Sequence, residues 1–148
     1  MLRLPKLTDY AVVLLAALAA GEGATAAVLA ARAGLPLPTV SKILKRLAKT
    51  DLVSAQRGTG GGYRLGLPAA NISVADIVAA MDGPVSLTQC VDGHHGQCGV
   101  ESRCAMRGHW NKINGAIRVA LESVSLAEMT QGPPIGWPAD AHLSQRAE

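Results

Sequence analysis

Three cysteines stand close together in the second half of the chain, and the sequence contains no others. Seven residues separate Cys90 from Cys98, and five separate Cys98 from Cys104. Thiolates are the ligands that iron–sulfur clusters and other soft or borderline metal centres prefer. An odd number of cysteines in so short a segment fits a ligand set better than a framework of disulfide bonds. The spacing therefore predicts a metal centre, with an iron–sulfur cluster as its preferred occupant.

A cluster with four protein ligands needs one group more than these three thiolates. His94 and His95 lie between the cysteines and His109 follows them, so each histidine is a candidate for the fourth ligand. Zinc held by three cysteines and one histidine is an alternative occupant. A redox switch that uses the thiols without metal is a further alternative, although the cysteines form no close pair.

A second set of chemically active side chains lies on a segment predicted to be a helix at 38–49. Its apolar residues recur at i, i+3, i+4 and i+7 from Val40 to Leu47, so they share one face that packs on a core. The opposite face and its edges are cationic and hydroxylated, which suits a helix that lies in the major groove of DNA. The residues predicted to contact DNA from this helix are Thr39, Ser41, Lys42, Lys45, Arg46 and Lys49.

The elements around that helix have a recognisable order. Helices are predicted at 8–20, with Thr8 as the N-cap, and at 25–34, and strands at 52–56 and 62–65. The strands flank a glycine-rich turn and form a hairpin with it, here called the wing. Arg57 and Arg64 of the wing are predicted to contact DNA. Residues 1–67 are therefore predicted to form a winged helix-turn-helix, in a chain that is mainly α with a small β-wing.

The remainder of the chain divides into four predicted segments. Residues 68–85 form a linker and a short helix capped by Ser73 together with Asp76, and residues 86–104 form the cysteine loop. A long helix over 105–130 is predicted to make a homodimer, and 131–148 is predicted to be a disordered tail. Packing on the protein's own first helix is an alternative use of the apolar stripe on the long helix. The stripe consists of Trp110, Ile113, Ile117, Ala120 and Val124.

Charge is divided unevenly between the two halves of the sequence. Residues 1–66 carry nine Lys and Arg against three acids, whereas residues 67–148 carry five against eight, giving net charges of +6 and −3. A basic half favours a polyanionic partner, here double-stranded DNA. The apolar run at 11–20 is too short to span a bilayer and lacks the context of a signal peptide, which predicts a cytoplasmic protein with no membrane partner. No constellation of catalytic residues is evident, so the chain is predicted not to be an enzyme.

Several segments resemble the bacterial IscR/NsrR/RirA-type transcriptional regulators, and among these the type that regulates the SUF system of iron–sulfur cluster assembly. The likeness extends over about residues 1–130. The segments that carry it are 4–11 (LPKLTDYA), 38–45 (PTVSKILK), 57–65 (RGTGGGYRL), 73–77 (SVADI), 110–114 (WNKIN) and the three cysteines.

The resemblance implies a homodimeric regulator on a palindromic operator, with a cluster that reports iron–sulfur, iron or redox status, and control of SUF-type assembly genes. It implies a [2Fe-2S] cluster in preference to [4Fe-4S]. Arg107 stands where such regulators usually have a ligating histidine. The complete ligand set of those regulators therefore cannot be assigned to this sequence. In similar proteins with three cysteines an acid early in the first helix of the partner subunit ligates, and Asp9 occupies that position here. An iron–sulfur carrier is the alternative outside regulation, but it leaves the cationic helix and the wing unexplained.

Overall fold

The computed structural model of the protein describes residues 3–21, 23–88, 91, 99 and 103–131. Six α-helices and one two-stranded sheet are found in these ranges. In chain order they are α1 (Lys6–Ala19), α2 (Ala26–Ala33), α3 (Leu37–Ala48), β1 (Val53–Gln56), β2 (Gly62–Leu65), α4 (Val74–Asp82), α5 (Arg107–Glu122) and α6 (Leu126–Thr130).

The predicted helix-turn-helix is present as α2 and α3. The Thr25 side chain accepts a hydrogen bond from the Val28 N–H at 3.3 Å and caps the start of α2. Gly34 ends α2 in the left-handed conformation, with φ 64°, which a side chain would disfavour. The chain then bends by 117° before α3, close to the angle expected for a helix-turn-helix.

The core lies among α1, α2, α3, β1 and α4, with α6 closing one side. Its members are aliphatic and come mainly from the helical faces that the periodicity predicted. All four apolar positions of the α3 pattern are fully buried. The largest fully buried side chains are Leu14, Leu15, Leu29, Ile43, Leu44, Leu47, Ile72, Ile77 and Leu126.

The predicted N-cap of α1 is wrong. Helix α1 begins at Lys6 after Pro5, and Thr8 is fully buried inside its first turn. The fixed φ of Pro5 suits the residue before a helix, so the start does not depend on a side-chain cap. The Thr8 hydroxyl instead donates to the carboxylate of Asp82, at the end of α4. Thr8 therefore ties α1 to α4.

The wing is a hairpin of β1 and β2 that is extended by one residue from the α1–α2 turn. Val53 pairs with Leu65 and Gln56 with Gly62. Tyr63 exchanges two backbone hydrogen bonds with Ala24, at 2.8 and 3.0 Å. This bridge fixes the wing to the start of α2.

The base of the wing requires close approach of two backbone segments. The Gly66 N–H donates to the Leu52 carbonyl at 2.9 Å, and a Cβ atom on Gly66 would lie 1.9 Å from the Asp51 carbonyl oxygen. Any larger residue at position 66 would have to push the Asp51 turn away, so the glycine is required by space.

The predicted capping of α4 is confirmed. The Asp76 N–H donates to Ser73 Oγ at 3.1 Å, and the Ser73 N–H donates to the Asp76 carboxylate at 2.9 Å. Helix α4 ends at Asp82. Gly83 follows with a φ of 90°, and Pro84 comes next. These two residues prevent the helix from continuing.

The prediction of one helix over 105–130 is wrong, because the chain breaks between α5 and α6. Ser125 and Glu128 form a capping box that starts α6 as a separate helix. The Ser125 backbone N–H and its hydroxyl both bond to the Glu128 carboxylate, and they hold its pKa below the usual 4.5. The break lets the Leu126 N–H donate to the Ile72 carbonyl at 2.8 Å, and the fully buried Leu126 side chain join the core.

No single helix in the described ranges is both long enough and apolar enough to cross a membrane. Helices α2 and α3 satisfy the length and composition criteria only when taken together across their bend, and the apolar face of α3 lies in the core. Of the predicted tail at 131–148, everything beyond Gln131 lies outside the described residues.

Candidate nucleic-acid interface and cysteine site

The cationic face of α3 is turned away from the core, as predicted. Lys42, Lys45 and Lys49 are exposed, while Thr39 and Ser41 are half-buried along the same helix. No acidic residue lies within α3 to offset these charges. Because the apolar side of α3 is fixed in the core, the lysines project from a rigid support rather than from a loop.

Arg46 differs from these lysines in having a hydrogen-bond partner among the described residues. Its Nη1 donates to the backbone carbonyl of Met81 in the last turn of α4, at 2.7 Å. That carbonyl lies among those that a helix end leaves without an internal partner, and a cation is favourable there. The structure therefore makes Arg46 a tie between α3 and α4, a role that the sequence pattern did not indicate.

The predicted arginines of the wing are both exposed. Arg57 lies at the start of the glycine-rich tip, and Arg64 lies on β2 opposite Ser54. The stem of Arg64 passes over Gly23, where a Cβ atom would come within 2.7 Å of Arg64 Cγ. Gly23 thus leaves room for the arginine to lie along the wing.

A shallow cavity of about 370 Å³ lies between the wing and α2. Arg64 lines it together with the glycines of the wing tip, and Arg32 lines it from α2. Sequence reasoning missed Arg32, because the wing is brought against α2 by the Ala24–Tyr63 bridge. A pairing between residues so far apart in the sequence leaves no periodic pattern to detect.

The cysteine site is described only in part. Cys104 is half-buried just before α5 and forms no disulfide within the described residues. Cys90, Cys98, His94 and His95 lie outside those residues. Val91, one residue after Cys90, is fully buried, so the start of the loop packs on the protein. A half-buried thiol without a disulfide partner among the described residues fits a thiolate ligand at Cys104.

Two further candidate ligands are described. His109 is exposed within the first turns of α5, and Asp9 is exposed in the first turn of α1. Within the described residues no three His, Cys, Asp or Glu side chains are grouped closely enough to hold a metal ion. The exposure of Asp9 leaves its carboxylate free to reach another subunit, and that role stays a prediction.

A buried amide holds the segment that leads into the cysteine loop. Asn114, on α5, is 1% exposed. Its Nδ2 donates to the Val85 carbonyl at 2.9 Å, and its Oδ1 accepts from the Leu87 N–H at 3.0 Å. The chain between α4 and the loop is thereby fixed to α5 at two backbone groups.

The predicted apolar stripe of α5 is divided by the structure. Trp110 is 39% exposed and Ile113 is 46% exposed, and Ala120 is exposed as well. Ile117 is half-buried and lines a groove of about 390 Å³ between α5 and the end of α4. Val124 lies beyond α5 in the break before α6, so it does not belong to the stripe.

The helix-turn-helix, the wing bridged to it and the cationic outer face of α3 define a winged-helix DNA-binding protein. A profile of the Rrf2 family, described as "Iron-dependent Transcriptional regulator", matches residues 4–132. The chain belongs to the Rrf2 family of transcriptional regulators.

Curated relatives and solved structures agree with this assignment. The chain is 36% identical to the HTH-type transcriptional regulator IscR of Xenorhabdus nematophila over 115 residues, which are 78% of this chain and 69% of that protein. It is 36% identical to IscR of Photorhabdus laumondii over 104 residues, 70% of this chain and 62% of that protein. It is also similar to the structure of T. potens IscR, with 27% identity, a TM-score of 0.66 and coverage of 99% and 93%.

The fold is shared more widely than these sequences. The structure of CymR, the global cysteine regulator of B. subtilis, has a TM-score of 0.68 at 24% identity, with coverage of 88% of this chain and 98% of that one. The named relatives are transcriptional regulators and not enzymes, which confirms the prediction that this chain is not an enzyme.

Proposed function

We propose that the protein is a homodimeric, iron–sulfur-responsive regulator that binds a palindromic operator and controls genes for SUF-type cluster assembly. The observation that carries this proposal is the outer face of α3, whose lysines are exposed while the opposite side is fixed in the core. Membership of the Rrf2 family and the likeness to IscR proteins support the iron–sulfur part.

In the proposed complex α3 lies in the major groove. Ser41 and Lys42, near its N-terminal end, lie closest to the base edges, and Lys45 and Lys49 face the groove and its phosphates. Arg57 at the tip of the wing enters the adjacent minor groove, where narrow A·T-rich stretches attract arginine. Arg32 and Arg64 bind the phosphates that pass over the cavity between α2 and the wing.

Dimerisation is assigned to α5. Its exposed Trp110 and Ile113 are large apolar side chains on a helix that packs mainly on α4. A second copy related by a two-fold axis would cover them and bring two α3 helices to neighbouring major grooves. The palindromic operator follows from that symmetry.

Cys90, Cys98 and Cys104 would hold the cluster, with Asp9 of the partner subunit as the fourth ligand. A bound cluster supplies a redox-active and oxidant-sensitive centre, with [2Fe-2S] preferred to [4Fe-4S]. Carboxylate is a poor match for a soft centre, so ligation by Asp9 makes the site easier to lose than four thiolates would. The exposure of Asp9 and the half-buried thiol of Cys104 are the described features that support this ligand set.

Anaerobic purification followed by absorption and Mössbauer spectra tests the cluster. Wild type should contain iron and acid-labile sulfide, and Cys104→Ser should lose both. Asp9→Ala should retain iron when freshly purified and lose it faster in air. The exposed acid Asp51 provides a matched control, because Asp51→Asn keeps a residue that tolerates its positive φ of 59°. A colourless wild-type protein with one zinc per chain would sink the iron–sulfur proposal.

DNA binding is tested separately, by titrating a duplex that carries the promoter of the protein's own operon. Cluster-loaded and cluster-free protein should differ in affinity, and both should bind less tightly as salt increases. Equal affinities of the two forms would argue against regulation by the cluster while leaving DNA binding intact.

A further inference from the structure

The C-terminal end of α4 is the meeting point of three contacts from different parts of the protein. Arg46 of α3 binds the Met81 carbonyl at 2.7 Å. The Thr8 hydroxyl of α1 donates to the carboxylate of the next residue, Asp82. Immediately afterwards, Asn114 of α5 holds the backbone at Val85 and Leu87. Seven consecutive residues thus join the DNA-facing helix to α5.

Two of the three contacts at this junction, those of Arg46 and Asn114, are made to backbone groups. Asn114 uses both ends of one amide, so a shift of α5 moves Val85 and Leu87 together with it. The Asn114 side chain is 1% exposed, so separating it from either backbone partner would leave a buried polar group without its hydrogen bond, which is unfavourable. The connection to α4 is short, because two residues, Gly83 and Pro84, separate Asp82 from Val85, the first residue whose backbone Asn114 holds. The guanidinium of Arg46 completes the path to α3.

We infer that Arg46 is a positioning residue that couples α3 to the segment held by Asn114, and that it is not primarily a DNA contact. The inference rests on the proposed function only in taking α3 as the helix that binds DNA. Through the junction, a change at α5 alters how α3 is presented to DNA. Linkage requires the reverse as well, so DNA bound to α3 must change the stability of the contacts at Leu87.

Amide hydrogen exchange at Leu87, measured by NMR on the full chain, reports this coupling directly, because the Leu87 N–H donates to Asn114. Saturating wild type with the promoter duplex should change the exchange rate of Leu87 by about fivefold, the lower end of ordinary coupling free energies. In Arg46→Ala, at duplex concentrations raised to saturation, the change should fall below about twofold. Arg46→Lys retains a charged donor and should recover part of the effect.

Lys45→Ala is the matched control, because Lys45 is the neighbouring exposed cation on α3 and no partner for it is found among the described residues. It should weaken DNA binding and lower the salt dependence by about 0.9 per chain, yet keep the full change at Leu87. Arg46→Ala should instead leave the salt dependence unchanged.

Two results would overturn the inference: no change at Leu87 when wild type is saturated with DNA, or a change in Arg46→Ala as large as in wild type. A fall in salt dependence for Arg46→Ala equal to that of Lys45→Ala would assign Arg46 to phosphate binding instead. Failure of the proposed function has a different signature, namely that wild type does not bind the duplex at all.

Discussion

The apolar side chains of α3 and those of α5 meet opposite environments. On α3 the four apolar positions of the helical pattern, from Val40 to Leu47, are fully buried, and the one large apolar side chain of this helix that is exposed is Leu37, its first residue. On α5 the large apolar side chains Trp110 and Ile113, which lie on one side of the helix, are 39% and 46% exposed. The apolar face of α3 is therefore covered within one chain, whereas α5 carries apolar surface that the described residues leave uncovered. Such uncovered surface on a helix is typical of an interface.

The largest effect should come from the core of the α3 region. Leu44→Ala removes a fully buried side chain and should lower the free energy of unfolding by about 3 kcal/mol, measured by urea denaturation. Val119→Ala, on the exposed side of α5, should change it by less than about 0.5 kcal/mol. Comparable losses from the two substitutions would contradict the contrast between the helices.

A charge introduced on one side of α5 or the other tests which side forms the proposed dimer interface. Ile113→Asp should weaken the proposed dimer about a hundredfold, because a carboxylate would be desolvated without a partner. Val119 lies about 120° from Ile113 around the helix, so Val119→Asp should leave the dimer intact. Sedimentation equilibrium measures both, and dissociation by the two variants alike would place the interface elsewhere.

The outer face of α3 is tested by its charge. Lys49→Ala should weaken binding to the promoter duplex by several-fold and reduce the slope of log affinity against log salt by about 0.9 per chain. Arg118→Ala removes an exposed cation from α5, where its Nε lies 3.4 Å from the Glu122 carboxylate, and should leave the slope unchanged. A reduced slope for Arg118→Ala would extend the DNA interface onto α5.

The smallest effect concerns the start of α6. The Ser125 hydrogen bonds lower the pKa of Glu128, so the folded state favours the ionised carboxylate. The stability that this provides is present above the usual pKa of 4.5 and is lost as the pH falls through the lowered value. Melting temperatures of wild type and Glu128→Gln should therefore differ slightly at neutral pH and converge well below pH 4.5. A difference that persists in strong acid would point to another cause.

Much of this fold could be predicted from the sequence, because the features that determine it are local. Gly34, Pro38, the Ser73–Asp76 box and the apolar spacing of α3 all act within a few residues of themselves. The predicted N-cap at Thr8 is wrong because α1 already begins after Pro5. Thr8 therefore lies within the helix, where its side chain is buried. The break before α6 had a local signal too, the capping box from Ser125 to Glu128, but the apolar stripe through Val124 outweighed it.

The parts of the site that escaped prediction depend on residues distant in the sequence. Arg46 carries the same charge as its neighbours on α3, and only the position of α4 gives it a separate partner. Asn114 belongs to a polar stretch of α5 whose sequence predicts exposure. It is buried because the backbone at Val85 and Leu87 packs against it. Neither placement follows from periodicity or capping.

The bridge between Ala24 and Tyr63 has a consequence for the spacing of the proposed DNA contacts. In the proposed complex the wing and α3 contact successive grooves, and the distance between those contacts along the duplex depends on the angle of the wing. The turn between α1 and α2 contributes to that angle, because it supplies Ala24, which is bridged to Tyr63 of the wing. Lengthening that turn by one residue would re-aim the wing without altering any side chain on the DNA-facing surface. A segment that touches no base would thus determine which spacing of groove contacts the protein accepts.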